Sequence, residues 1–442
     1  MIKSKTKFKF NEGDKAKDKL GSIARSKSNF NSNSKSITKN NVQQLKLNEL
    51  PFDKVKSIFI AHPNYIEDLK NEINRRNDKT YYSNFSIDNF IFTNTKYTNY
   101  LNYQDELTCK PIWAQAVWTD VSVVEFKSIK DAASILRKLK RDWISHSFQF
   151  HRRTQLIKAE LPKYSFSESP LEFSQAIENL RYPKMQNPEN GRINFGVFCL
   201  IDQYKLLVCE NNSLFDQFKL VSERQNSEIH IPQTTVKKTL NLLPEVIRNP
   251  IVIQSCGEID FKEDKTNPPS RAYLKLWEFF TVYKIVPQKN DICIELGAAP
   301  GGWTWVLVEL GCEVYSFDRA PLEAKLIDNK KYKNKIHHST KDAFMVKPKD
   351  LPNKVKWLFS DLICDPNKLY DYILENWSDE NYNMVCTLKF KGETDFAIIE
   401  KFKNIKTKLP AHFKNHQVFL THLYNNKHEI TFCLFEDKFN RK

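Results

Sequence analysis

Glycine is scarce in this chain, with 10 in 442 residues, and none of them is set in the G-x-G-x-x-G spacing of a dinucleotide fingerprint. Paired cysteines are missing too. The nine cysteines, Cys109, Cys199, Cys209, Cys256, Cys293, Cys312, Cys364, Cys386 and Cys433, stand singly with no C-x-x-C. That and the odd total argue against a disulfide framework and against a structural zinc site, and no metal is expected. Several lie within apolar runs such as Asp291–Leu296 and Met384–Leu388, where a free thiol behaves as a small buried hydrophobe. A reducing compartment, the cytoplasm, is the expectation. No apolar run approaches the roughly 20 residues that a spanning helix needs. The first residues lack the apolar core of a secretion signal, and Glu12, Asp14 and Asp18 fit an organelle-targeting segment poorly. A soluble protein without membrane association is expected.

What is abundant is positive charge. The formal net charge of +15 gives a summed field that attracts polyanions, of which nucleic acid is the commonest. Lysine enriched beside asparagine and isoleucine, with so little glycine, also fits a coding bias, so charge alone specifies no reaction.

The length exceeds one ordinary core and calls for two or three units with an extension. Residues 1–50 are lysine, serine and asparagine with isolated apolar residues, too few to offset the entropy of ordering. They read as a disordered basic tail, either a tether for RNA backbone or, more commonly, a solvated extension. Residues 54–255 read as a divergent α+β region. Its candidate strands are 57–62, 114–126, 194–201 and 205–209, and its helical stretches run from Tyr65 to Arg75 and from Ile129 to Trp143. No chemical motif stands out there. Residues 265–436 alternate helix and strand, the rhythm of a doubly wound, mostly parallel sheet. The strand candidates are 291–296, 313–317, 356–360, 383–389, 416–423 and 429–435.

Within that region, the run from Ile294 to Trp305 follows an apolar strand and opens a helix, which sets its turn at the carboxyl edge of the sheet, where ligands bind. Gly297, Gly301 and Gly302 let the backbone turn sharply and approach a ligand closely. The next strand ends at Asp318, about 20 positions beyond Gly297, a placement suited to accepting hydrogen bonds from both hydroxyls of a ribose. Asp342, after a third short segment, is a weaker candidate for an exocyclic adenine amine.

Leu296–Thr304 resembles the motif of the FtsJ-type RNA 2'-O-ribose methyltransferases. Within that family the similarity is greatest to the RlmM branch, which methylates cytidine ribose in 23S rRNA, through Ser270–Leu276, Val314–Asp318, Trp357–Leu362, Leu388–Lys389 and Leu423–Thr431. The resemblance implies a Rossmann-like class I methyltransferase domain. It implies S-adenosylmethionine as cofactor, held by Ser270, Gly297, Ala299, Pro300, Gly301, Gly302, Trp303, Asp318, Asp342 and Asp361, and RNA of the 23S ribosomal type as partner. It also implies a catalytic Lys-Asp-Lys-Glu tetrad, whose four types occur in matching contexts at Lys275, Asp361, Lys389 and Glu429.

The chemistry accounts for those types. A ribose 2'-hydroxyl is a poor nucleophile and must lose its proton as it attacks a sulfonium methyl, so a base must lie within hydrogen-bond reach. Lys389 is the candidate. It must be neutral to act, which partial desolvation and the like charge of Lys275 favour. Asp361 and Glu429 oppose that shift, and are assigned mainly to orienting the lysines, with Asp361 also near the positive methionine portion of the cofactor. Two departures from the RlmM pattern stand out: Ala299 replaces a frequent cysteine before Pro-Gly-Gly, and Phe390-Lys391-Gly392 replaces Leu-Pro after the second lysine, a change that bears on the substrate groove.

Upstream, Ile58–Leu69 loosely resembles the start of the RlmM N-terminal domain, in which a short strand leads into a helix, and such enzymes add a THUMP RNA-binding domain. The basic stretches 137–141 and 151–154 are candidates to track phosphates, or else solvated helix faces. Two rival readings remain: a cap ribose methyltransferase, which would require a 5' guanosine cap, and an inactive domain serving as an RNA-binding scaffold. The sequence leaves oligomeric state open, with a monomer as the default.

Overall fold

The computed structural model describes residues 54–75, 86–94, 110–139, 142–147, 150–161, 195–212, 252–253, 259–260, 263–283 and 285–436. The tail expected over residues 1–50 lies outside them. All described residues belong to one unit, Gln43–Lys442.

A run of apolar residues too short for a helix is a strand buried on both faces, and β1 (Ser57–Ala61) is buried at all five positions. It lies third in a seven-stranded sheet with β2 (Ser86–Ile87), β3 (Phe90–Thr93), β4 (Ala114–Glu125), β5 (Asp142–Ser145), β6 (Phe195–Leu200) and β7 (Lys205–Asn212), in the order β2-β3-β1-β4-β7-β6-β5. Its pairs are antiparallel except for β5 with β6. Between β1 and β2 comes α1 (Ile66–Arg75), which buries Leu69 and Ile73, four apart on one face, together with Glu72. Helix α2 (Ile129–Lys138) starts on Ser128, whose hydroxyl accepts from Asp131 N, while Asp131 reaches back to Lys127 N.

The helix expected to reach Trp143 ends at Lys138 instead, and Trp143 belongs to β5. Tertiary packing overrides the helical spacing there. The indole donates to Leu136 O at 2.9 Å and covers Gly196, where an added Cβ would lie 2.4 Å from the ring. Helix α3 (His151–Glu160) follows, with Arg153 over the rings of Phe126 and Tyr204. A short antiparallel pair, β8 (Val252–Ile253) and β9 (Ile259–Asp260), precedes the second sheet.

That sheet contains β10 (Ile292–Leu296), β11 (Glu313–Phe317), β12 (Ile336–Ser339), β13 (Val355–Ser360), β14 (Asn383–Lys389), β15 (His416–Thr421) and β16 (Glu429–Glu436), in the order β12-β11-β10-β13-β14-β16-β15. The five strands from β12 to β14 are parallel, and β16 runs antiparallel to both β14 and β15. Apolar layers cover both faces. On one, α4 (Tyr273–Tyr283) and α5 (Gly302–Glu309) pack Trp277, Phe280 and Val306 against Val314 and Phe359. The other carries α7 (Pro366–Asn376) and α8 (Phe396–Lys403), after the single-turn α6 (Ala324–Ile327), and buries Ile373 and Phe402 against Leu358 and Phe432. The doubly wound, mostly parallel sheet expected from the sequence is borne out. Because the chain winds outward from β10 to β12 and then returns to β13, the crevice between the carboxyl ends of β10 and β13 is the topological switch point.

The apolar layer on the α7 and α8 side is continuous with the first sheet, running from Ile398 and Ile430 into Phe59, Leu69 and Trp113. A polar pin secures the join. The Glu72 carboxylate, 4% exposed, accepts from Ile112 N at 2.8 Å and Trp113 N at 3.0 Å, and the main chain of the next segment pairs across, with His422 N donating to Ile112 O at 2.8 Å. A buried N–H without a partner bears its full desolvation penalty. Replacing Glu72 by Ala should therefore cost about 2 kcal/mol or more, and Glu72→Gln, which keeps one acceptor, about half as much. Urea unfolding at pH 7 checks this, and an unchanged midpoint for Glu72→Ala would contradict the pin.

Candidate active site

Parallel strands deliver their last residues to one edge, and the sheet uses that edge for every charged candidate. Asp361 follows β13, Lys389 closes β14 and Asp318 follows β11. Glu429 arrives by a different route. It opens β16, which runs antiparallel, and its register partner is Lys389. Lys275 reaches the same point from the first turn of α4.

These side chains form one cluster. Lys275 Nζ lies 2.6 Å from Glu429 Oε1 and 3.1 and 3.2 Å from the two Asp361 oxygens. Lys389 Nζ lies 2.9 Å from Asp361 Oδ1, 2.6 Å from the Asp361 carbonyl oxygen and 4.0 Å from Glu429 Oε2. Two ammonium groups thus share one carboxylate oxygen. All four side chains are at most 20% exposed, so their mutual fields are weakly screened. Burial alone would push the Asp361 carboxyl up, but Lys275 and Lys389 outweigh it and hold it below its ordinary range. Burial would likewise lower Lys275; Asp361 and Glu429 reverse this and hold its ammonium above the usual lysine value.

Sequence reasoning missed Thr387, whose hydroxyl donates to Asp361 Oδ1 at 2.8 Å. The signal was available, since Thr387 and Lys389 are two apart on one strand and share a face. Glu295 was missed as well. It is fully buried on β10 and accepts from Thr304 Oγ1 at 2.5 Å, and burial raises its pKa to about 8. A neutral Glu295 adds no negative charge beside Asp361 and Asp318.

The glycine turn lies alongside. Gly297 and Gly301 both have positive φ, 77° and 116°, and the crowding around them comes from the protein itself. A Cβ on Gly297 would come within 3.0 Å of the Leu362 backbone, and one on Gly302 within 2.5 Å of Ser270 Oγ. Ala299 N donates to Asp318 Oδ2 at 3.0 Å, and Ala320 N donates to its other oxygen at 3.0 Å, which ties the acid to the turn. Pro300 O accepts from Glu323 N at 3.0 Å. The ring of Trp303 points into the core, 2% exposed, with its indole donating to Ala272 O at 3.0 Å. Ser270 Oγ is buried and has no hydrogen-bond partner among the described residues. Asp342 stands apart from the tetrad. Its carboxylate is paired with Arg319, which holds its pKa low, and accepts from Phe344 N at 3.0 Å.

Residues 268–430 match the family model described as FtsJ-like methyltransferase. Ribosomal RNA large subunit methyltransferase M of Haemophilus influenzae is 31% identical over 176 residues, covering 37% of this chain and 46% of that protein. The protein of the same name from Laribacter hongkongensis is 28% identical over 181 residues, covering 38% and 48%. The chain spans about half the length of these relatives. The FtsJ-type resemblance read from the sequence is borne out over this stretch. A solved structure, the fibrillarin pre-rRNA processing protein of Methanococcus jannaschii, aligns at 19% identity over 34% of this chain and 69% of that one, with a TM-score of 0.27.

Removing one partner of a buried ion cluster leaves charge uncompensated, typically at a cost of about 3–5 kcal/mol. Lys275→Met should lose stability on that scale at pH 7. Asp361, with its depressed pKa, contributes stability that is present above about pH 4 and lost as the pH falls through the depressed value. The deficit of the variant relative to wild type should therefore shrink on acidification. Urea unfolding at neutral and acid pH measures it, and an equal deficit at both would contradict the cluster.

Proposed function

We propose that the chain is an S-adenosylmethionine-dependent 2'-O-ribose methyltransferase that acts on RNA, in the first place large-subunit ribosomal RNA, in the cytoplasm. The observation that carries this reading is the convergence of Lys275, Asp361, Lys389 and Glu429 at the switch point of the sheet, beside the glycine turn. The RlmM-named relatives support the choice of RNA. No helix among the described residues is long and apolar enough to cross a membrane.

The residues present fit the cofactor. Ser270 Oγ has a hydrogen-bonding need that no described residue meets, beside the turn, and the Asp318 oxygens, each with one backbone donor, keep a lone pair for a ribose hydroxyl. Asp342 would meet the adenine through its remaining lone pairs. The negative Asp361 suits a positive sulfonium nearby. When bound, S-adenosylmethionine supplies an electrophilic methyl group.

The protein's own part is proton management and orientation. Lys389 Nζ accepts the proton of the 2'-hydroxyl as the oxygen becomes a nucleophile. Lys275, held between two carboxylates, keeps its proton, and its positive charge favours a neutral neighbour. Asp361 fixes Lys389 through both its carboxylate and its carbonyl oxygen, while Thr387 and Glu429 complete the alignment. Upstream, the sheet of β1 to β7 and the basic residues of α2 and α3 serve as the THUMP-like RNA-recognition part, tracking phosphates on a folded or single-stranded segment.

Lys389→Ala should abolish transfer of labelled methyl to unmodified ribosomal RNA, a loss of at least about a hundredfold, while S-adenosylhomocysteine affinity by calorimetry stays within about threefold. Full turnover by Lys389→Ala would overturn the assignment of the base. An absence of methyl transfer by the wild type to any RNA, with cofactor bound, would favour a scaffold.

A further inference from the structure

A 2'-oxygen held at Lys389 Nζ belongs to a sugar whose base is attached at the adjoining carbon. The base must therefore rest on whatever borders the Lys389–Glu429 pair. Phe390 follows Lys389 and His428 precedes Glu429, and the two residues are joined, with Phe390 N donating to His428 O at 3.1 Å and ring centroids 5.7 Å apart. Onto His428 stacks Tyr65 from the N-terminal region, at 5.7 Å and 12°. Tyr65 in turn meets His62 at 5.2 Å, and His62 meets Tyr424 at 5.5 Å.

The packing is graded. Trp113 and His422, whose rings lie 5.6 and 4.8 Å from Tyr65, are buried and form the floor, whereas His62, Tyr65 and Tyr424 are half-buried at its edge. We propose that Tyr65, flanked by His62 and Tyr424, is the wall on which the base of the target nucleotide stacks, so that the N-terminal region supplies a substrate-positioning residue to the catalytic centre. The inference rests on the RNA methyltransferase reading above and deepens it. It makes the acceptor an unstacked, single-stranded nucleotide, because a base within a helix has no free face to offer.

Three further features fit this role. The wall is held in place by α1: Asp68 Oδ1 accepts from Thr394 Oγ1 and is 3.2 Å from His428 Nε2, and the Arg75 guanidinium lies 4.6 Å over the Phe396 ring. Both latched segments are continuous with catalytic residues. Charge favours the partner, since Lys391 and Lys427 beside the wall are exposed and available to phosphates. Burial lowers His62 from its ordinary value, so at neutral pH it presents an uncharged ring. Burial, then Glu429 and Asp68, raise the Tyr65 phenol, which stays protonated as a donor. An aromatic wall tolerates any base, because every base has a π-face. Phe390, where this sequence departs from the RlmM pattern, is part of the same surface.

The test uses full-length protein, labelled methyl transfer to unmodified large-subunit ribosomal RNA, and fluorescence anisotropy of a single-stranded RNA oligonucleotide in saturating S-adenosylhomocysteine. Tyr65→Leu should raise KM for RNA and weaken oligonucleotide affinity by about tenfold, with KM for S-adenosylmethionine unchanged and cooperative unfolding retained, though at a lower melting temperature because the ring contacts to His62, Trp113, His422 and His428 are lost. Tyr65→Phe and Tyr65→Trp, which keep a π-face, should recover most of the loss, and Tyr424→Leu should move RNA affinity in the same direction if Tyr65→Leu does not fold. A folded Tyr65→Leu with wild-type RNA parameters overturns the proposal. So does an equal loss of S-adenosylhomocysteine binding, which would mark a merely structural role. A wild type that methylates no RNA defeats the underlying reading first, and this inference with it.

Discussion

Asp361 carries two ammonium groups on one carboxylate oxygen inside a largely buried crevice. Charges so placed are tolerated only when every one is compensated, and much of the second sheet can be understood as the means of doing so. Parallel strands bring Asp361 and Lys389 to a common edge, and α4 lowers Lys275 onto it. The reversal of β16 is what returns Glu429 to that edge at the register position of Lys389. If β16 ran parallel, its first residue would emerge at the opposite end of the sheet.

The same interaction divides the labour of the site. Lys275 is fixed in its charged form by acids on two sides, and Asp361 is fixed as a carboxylate by the two lysines. Burial keeps Glu295 neutral up to a pH of about 8, which spares Asp361 and Asp318 a third negative neighbour. Lys389, with its second contact to a backbone carbonyl, is the member of the cluster assigned to exchange a proton. A comparable set of buried groups secures the approach to Glu429. Glu278 of α4, raised by burial to about 7, accepts from Tyr424 N and Asn425 N in the turn between β15 and β16. Through Glu72, Asp68 and the Trp113 floor, the N-terminal region takes part in holding the same turn and the segment after Lys389.

Much of the second sheet was legible in the sequence because its determinants are local. The alternation of Glu313–Phe317 and the mainly apolar run of Asn383–Lys389 marked β11 and β14, and the glycine turn with Asp318 followed from chemistry at the end of a strand. The four catalytic candidates were found by resemblance and are brought together by the fold. What escaped depends on contacts remote in sequence. Trp143 has helical spacing but is recruited to a strand by Gly196. The ring of Trp303 is claimed by the core through Ala272 O. The aromatic wall joins residues from 62 to 428, and nothing in the spacing of His62, Tyr65 and Trp113 announces a site.

The central claim is that Lys389 takes the proton of the ribose hydroxyl while Lys275 keeps its own. The most direct measurement is the pH dependence of single-turnover methyl transfer, with enzyme saturated by S-adenosylmethionine and RNA. A rate that climbs close to tenfold per pH unit toward a plateau, following the loss of one proton, is the expected result. A flat profile across that range, with methyl transfer itself shown to limit the rate, would contradict proton transfer to Lys389.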